Sequence, residues 1–125
     1  MENFSVCVVV RHPPYGTVLP AEAFRTIQAL QTFEREVSVL FMADGVVTMI
    51  ESSDPEPIGM PRLIEAYLGL LALPGVVLAV HPGSLEERGF SKDDLAQPPE
   101  GSPYRFVESE EIEDYITGHK TVLCF

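Results

Sequence analysis

Few residues of this chain have chemistry to offer: two cysteines, Cys7 and Cys124, and three histidines, His12, His81 and His119. The histidines are far apart and lack the HxxxH or HExxH spacing that sets two imidazoles on one helix face, so no metal site is expected. His81 is the most informative of them. It follows a buried apolar run and precedes Ser84-Leu85-Glu86-Glu87, so its ring stands where a strand gives way to a helix start whose free N–H groups favour an anion. An imidazole there could accept a proton or hold a small anion through a hydrogen bond. The plainer alternative is a strand-end histidine satisfied by backbone. Asp44, ahead of Gly45, ends another apolar run and reads either as a site carboxylate or as an Asp-Gly turn. His12 and the stretch Tyr15-Gly16-Thr17, behind Pro13 and Pro14, follow a third run. Their backbone N–H groups could form a small anion nest, and a tight strand-to-helix turn explains them equally well. Cys7 lies among valines and reads as a small buried hydrophobe. Cys124 could be a mobile terminal thiol able to exchange sulfur, but packing between Leu123 and Phe125 is the favoured reading.

Several familiar chemistries have no support. No GxGxxG follows the first strand, no GxxxxGK[ST] loop is present and no GxSxG joins a strand to a helix, so no nucleotide or other cofactor and no serine nucleophile is implied. Eight basic against nineteen acidic residues give a net charge of −11, a field that repels nucleic acid and anionic membrane surfaces. At 46% hydrophobic residues and 125 residues in all, the chain can bury one core, and residues 1–125 are expected to form a single domain. Two distant cysteines without a disulfide framework, and no secretory signal in the first residues, point to a cytoplasmic setting. The apolar stretch 63–80 approaches the length of a membrane span, but Pro74-Gly75 divides it into a buried helix and a buried strand.

The elements that must position these residues alternate. Continuous β-branched or apolar runs at 4–10, 37–42 and 76–80 read as strands buried on both faces, which belong to parallel sheets. Pro20 opens a helix carrying Ala23, Phe24, Ile27 and Leu30 and ending near Phe33. Met60, Leu63, Ile64, Tyr67, Leu68 and Leu71 keep helical spacing without a break, after an acidic, proline-punctuated loop over 51–59. Ser84 and Glu87 have the spacing of a capping box, and Gly89 closes that short helix. Residues 91–103 hold three prolines and little apolar content and are expected to form a mobile loop. A short strand at 104–107, a last helix capped by Ser109 and ended by Gly118, and a strand at 120–125 complete the order. No internal repeat or low-complexity tract interrupts it. The resulting class is α/β, with helices on both faces of a mainly parallel sheet, and ligand sites of that architecture lie beyond the carboxyl ends of the strands. His12, Tyr15, Gly16, Thr17, Asp44, Gly45, His81 and Ser84 all fall on that rim.

These stretches resemble the DsrE/DsrF-like proteins of sulfur metabolism, and within them the DsrF and TusC branch. Residues 8–17, ending Pro-Tyr-Gly-Thr, are similar to the family's first strand and loop. LFMADGVVT is similar to its strand ending in Ala-Asp-Gly-Val, SLEERGF to the segment after the third strand, and TVLCF to the branch's hydrophobic terminus. The resemblance implies a three-layer α/β/α sandwich on a five-stranded parallel sheet. It also implies assembly into trimers or hexamers, often with DsrE- or DsrH-like sister subunits, and delivery to a small sulfur-acceptor protein. Active members carry a persulfide on a cysteine at the end of the third strand. Counted back from Arg88-Gly89, that place is held here by His81, so the carrier thiol is missing. The resulting expectation is a non-catalytic, partner-binding subunit of a sulfur-relay oligomer. The alternatives are a sulfurtransferase using Cys124 and a small-anion binder using His81. The strand order implied by the resemblance sets Cys124 and His81 three strand spacings apart, about 14 Å.

Overall fold

A computed structural model describes residues 5–33, 36–51 and 63–125. Its centre is β1 (Ser5–Val10), the run SVCVVV, whose last five residues are all buried. β-Branched side chains suit a strand covered on both faces, and β1 accordingly has a strand on either side. It pairs in parallel with β2 (Glu36–Phe41) and with β5 (Thr121–Cys124). β3 (Val76–Val80) joins β2, and the two-residue β4 (Arg105–Phe106) joins β3, again in parallel, giving the order β4-β3-β2-β1-β5. The expected five-stranded parallel sheet is therefore present.

The period-2 alternation of the strands divides the core. On one face Val6, Val8 and Val10 meet Val39, Phe41, Leu78 and Val80 beneath α1 (Leu19–Thr32) and α2 (Leu63–Leu70). Pro20 stands in the first turn of α1, and Ala23 and Ile27 point inward. Tyr67 of α2 is wedged edge-on between Phe24 and Phe41, at centroid distances of 5.4 and 5.2 Å. The opposite face is covered more thinly. Cys7, Val9, Leu40, Ala79 and Val107 lie under Ile112, Tyr115 and Ile116, all three on the short α4 (Ile112–Thr117), and the Tyr115 hydroxyl donates to Ser38 Oγ at 2.9 Å.

Four expectations need correction. The Asp-Gly pair after β2 is more than a turn: residues Ala43–Met49 form a 3-10 segment with Gly45, Val46, Thr48 and Met49 buried. The short helix after β3, α3 (Pro82–Glu87), begins two residues before Ser84, so Ser84 and Glu87 form no capping box and His81 is the N-cap. Its exit is as expected, since Gly89 has φ +79° and Phe90 N–H donates back to Leu85 C=O at 2.9 Å. Ser109 does not cap the last helix either: Glu108 caps a 3-10 turn (Ser109–Glu111) through a reciprocal box with Glu111, and α4 follows. Finally, the stretch 91–103 is tied down. Ser91 and Asp94 cap one 3-10 turn, Leu95 and Ala96 are buried, and Leu95 bridges Ile50. Ala96 C=O accepts the Tyr104 hydroxyl at 2.7 Å. The prolines masked these two anchoring apolar residues. Phe4 and Met60 lie outside the described residues, as does all of the acidic loop but Glu51.

Candidate functional site

The carboxyl ends of β2 and β3 build one compact cluster. β3 delivers His81, whose backbone N–H donates to Phe41 C=O at 3.1 Å, fixing the ring at the sheet's rim. His81 Nδ1 accepts the Ser84 backbone N–H at 3.2 Å and lies 2.7 Å from Ser84 Oγ. Ser84 Oγ in turn accepts the Ala43 backbone N–H at 2.9 Å, so its own proton is directed to His81 Nδ1. With Nδ1 serving as acceptor, the neutral ring carries its proton on Nε2, which donates to Ser109 Oγ at 2.9 Å. Both ring nitrogens are engaged, and the Ser109 hydroxyl keeps its hydrogen for an outside acceptor.

Space for this ring is made by Gly83. A Cβ there would lie 3.0 Å from His81 Cε1 and Nε2 and 3.3 Å from Ser109 Oγ. Ala43 completes the cluster with φ +50°, the one left-handed non-glycine among the described residues. That conformation costs about 1–2 kcal/mol and is retained here by the bond to Ser84. Gly45 is required for a different reason: a Cβ would stand 1.9 Å from Val10 O, inside the backbone of β1.

On the outer side, Asp44 Oδ1 accepts from Arg88 Nε at 2.9 Å, and Arg88 also donates to Ser84 C=O at 3.0 Å. Glu87, the expected capping partner, lies 3.5 Å from Arg88 instead. Arg88, Ser109, Ala43 and Gly83 thus belong to the cluster although they were not among the expected rim residues. Arg88 stands within the SLEERGF segment after β3, whereas Ser109 reaches His81 across a sequence gap of 28 residues that no local pattern reveals.

The loop after β1 stands apart from this cluster. Tyr15 hydroxyl accepts the Leu63 N–H at 2.9 Å, pinning the loop to the start of α2. Thr17 Oγ1 accepts the Leu19 N–H at 3.3 Å, and Gly16 supplies φ +107°. These residues form a strand-to-helix turn, and His12 is an exposed member of it. Thus His81, Ser84, Asp44 and Gly45 come together, whereas His12, Tyr15, Gly16 and Thr17 serve the neighbouring turn, about two strand spacings away. His119 lies at the other end of the sheet, after α4, with Nδ1 donating to Tyr115 C=O at 2.8 Å. No group of three or more metal-ligating side chains occurs among the described residues.

The thiols differ sharply. Cys7 is fully buried, and burial pushes its pKa from the ordinary 9.0 up to about 11, with Cys124 adding to the rise. Cys124 is exposed, but it is no mobile tail. It belongs to β5, and the next residue is clamped to β1 by Phe125 N–H to Val9 C=O and Arg11 N–H to Phe125 C=O, both 2.8 Å. Three strand spacings separate β5 from β3, as expected, so Cys124 cannot exchange protons directly with His81.

A parallel α/β sandwich with a polar strand-end cluster defines the class. The chain belongs to the DsrE/DsrF-like family, whose sequence profile matches residues 5–125. It is 33% identical over 106 residues to the intracellular sulfur oxidation protein DsrF of Allochromatium vinosum, covering 85% of this chain and 75% of that protein. Protein TusC of Buchnera aphidicola is 30% identical over 89 residues, 70% of this chain and 74% of its own. Among solved structures, the ychN protein of E. coli superposes with a TM-score of 0.73 at 21% identity, over 99% of this chain and all of that one. MTH1491 of Methanobacterium thermoautotrophicum, a protein of unknown function, gives 0.69 at 16% over 97% and 99%. These two likenesses concern the fold. No helix among the described residues is long and apolar enough to cross a membrane.

Proposed function

We propose that this chain is a DsrF/TusC-like subunit of a cytoplasmic sulfur-relay assembly and that it supports a sulfur-carrying sister without carrying sulfur itself. The observation behind this reading is His81. On this reading His81 stands where active relatives would carry their cysteine, and an imidazole nitrogen cannot store sulfane sulfur as a stable persulfide. The ring is also occupied, with Nδ1 facing Ser84 and Nε2 facing Ser109. It acts as the strut of a fixed surface that joins the ends of β2 and β3 to the turn before α4. On this reading the surface of Asp44, Arg88, His81 and Ser109 is what a sister subunit or small sulfur-acceptor protein meets.

The alternatives receive less support. To hold a small anion, His81 Nε2 would have to release Ser109. A carrier role for Cys124 would need a thiol that swings, and β5 holds it in the sheet. Size-exclusion chromatography with light scattering tests the assembly side of the reading. The purified chain is expected to run as a trimer or larger, and a strict monomer at every concentration would contradict it.

A further inference from the structure

The outer edge of β5 offers a donor and acceptor pattern that matches itself. Alternate residues of a strand present their backbone groups to opposite edges. Phe125 bonds β1 through both its N–H and its C=O, so Leu123 and Thr121 face β1 as well. Val122 and Cys124 therefore direct their N–H and C=O groups outward, and among the described residues no strand pairs with that side. Their side chains are exposed on the thinly covered face of the sheet, Val122 at 38%.

The two edges of the sheet are not alike. β4 is two residues long, begins with the charged Arg105, follows Pro103 closely and has Lys92 Nζ 4.3 Å above the Phe106 ring. These are devices that discourage strand addition. β5 carries no charged side chain and no proline from Thr121 to Cys124. On a molecule of net charge −11, an uncharged strand edge is where a second copy meets least repulsion.

We propose that this edge is occupied by β5 of a second copy, antiparallel, about a two-fold axis through Leu123. Val122 then stands opposite Cys124 of the second copy and Cys124 opposite Val122 of the second copy. Each is a hydrogen-bonded pair that exchanges two N–H···O=C bonds, and together they satisfy every outward group of both residues. The two sheets become continuous. Because the strands run antiparallel, the two His81 rims point to opposite ends of the assembly and remain open. The pairing is independent of the sulfur-relay reading, since β5 lies three strands from β3.

Two experiments on the full chain test it. Val122→Pro removes only an outward N–H and leaves every bond to β1 intact, and Val122→Lys places a charge on the same edge without altering the backbone. The parent is expected to hold an even number of copies and both variants to halve its molar mass in light scattering, whereas a parent with an odd number of copies would overturn the pairing. Separately, Val122→Cys is made in a Cys7→Ala background, because Cys7 is Val122's register partner on β1. Opposed Cα atoms would be about 5.5 Å apart, within disulfide range, whereas Cys124 and its own copy would be about 9 Å apart. Oxidation with copper–phenanthroline should yield a covalent dimer on a non-reducing gel from Cys7→Ala/Val122→Cys and none from Cys7→Ala. An unchanged mass in both edge variants, or no dimer band from the double variant, would overturn the proposal.

Discussion

Ser84 ties the ends of β2 and β3 together at the centre of the cluster. Its hydroxyl accepts from the left-handed Ala43 and faces His81 Nδ1. Ser84→Ala removes the acceptor of a part-buried N–H and is expected to cost about 2 kcal/mol in urea unfolding, against under about 1 kcal/mol for Asp44→Asn on the exposed side of the Arg88 pair. Equal losses would contradict the arrangement. Gly45→Ala should be far worse, since its Cβ would meet only backbone atoms of Val10 and Arg11, which cannot swing aside as a side chain can. A loss of at least about 3 kcal/mol, seen as a failure to yield soluble protein or a collapsed melting temperature, is expected. These positions also mark how far sequence reasoning reached. His81, Asp44 and Ser84 were legible because each follows directly from the end of a strand. Ser109 was not, because its place depends on how the turn before α4 folds back over the rim, and Gly83 looked like a turn residue because its missing Cβ matters only once the His81 ring is seated against it. The nature of Gly45 was missed because an Asp-Gly pair looks the same whether it turns in solvent or presses on a neighbouring strand.

Among the elements, the strands were readable from their unbroken β-branched runs, and their parallel pairing followed from their being apolar on both faces. Helix starts were less legible. Ser84 and Ser109 both looked like caps, yet α3 starts earlier because Pro82 suits a first helical position, leaving His81 to accept the free N–H. The stretch 91–103 shows a second limit, since two apolar residues among prolines suffice to anchor a loop when a buried tyrosine hydroxyl reaches one of them. Tyr104→Phe is therefore expected to cost about 1 kcal/mol and to speed amide exchange across this stretch. Exchange as fast in the parent as in the variant would show that the anchor does not hold.

At the scale of the whole molecule, alkaline pH should destabilise the fold. The Cys7 thiol ionises near 9 when exposed and at about 11 when folded, so the folded state retains a proton that the unfolded chain has lost. Its contribution is complete below pH 9 and disappears as pH rises through 11, an effect of about 2–3 kcal/mol. Burial raises Tyr104 to about 12 as well, so the decline continues at higher pH. Urea midpoints at pH 8 and 10 should differ in the parent and differ less in Cys7→Ala; identical slopes would argue against a buried thiol. In native protein at pH 8, Ellman's reagent should reach Cys124 and leave Cys7 untouched until denaturant is added.

The division of labour proposed for this chain depends on the side chain at position 81. Intact-mass spectrometry after incubation with a cysteine desulfurase and cysteine reads it directly, with the parent and His81→Cys side by side. The parent is expected to remain at its own mass, while His81→Cys gains about 32 Da, one sulfur atom, on the introduced thiol. A parent that takes up sulfur as fully as His81→Cys and passes it to an acceptor would contradict the account.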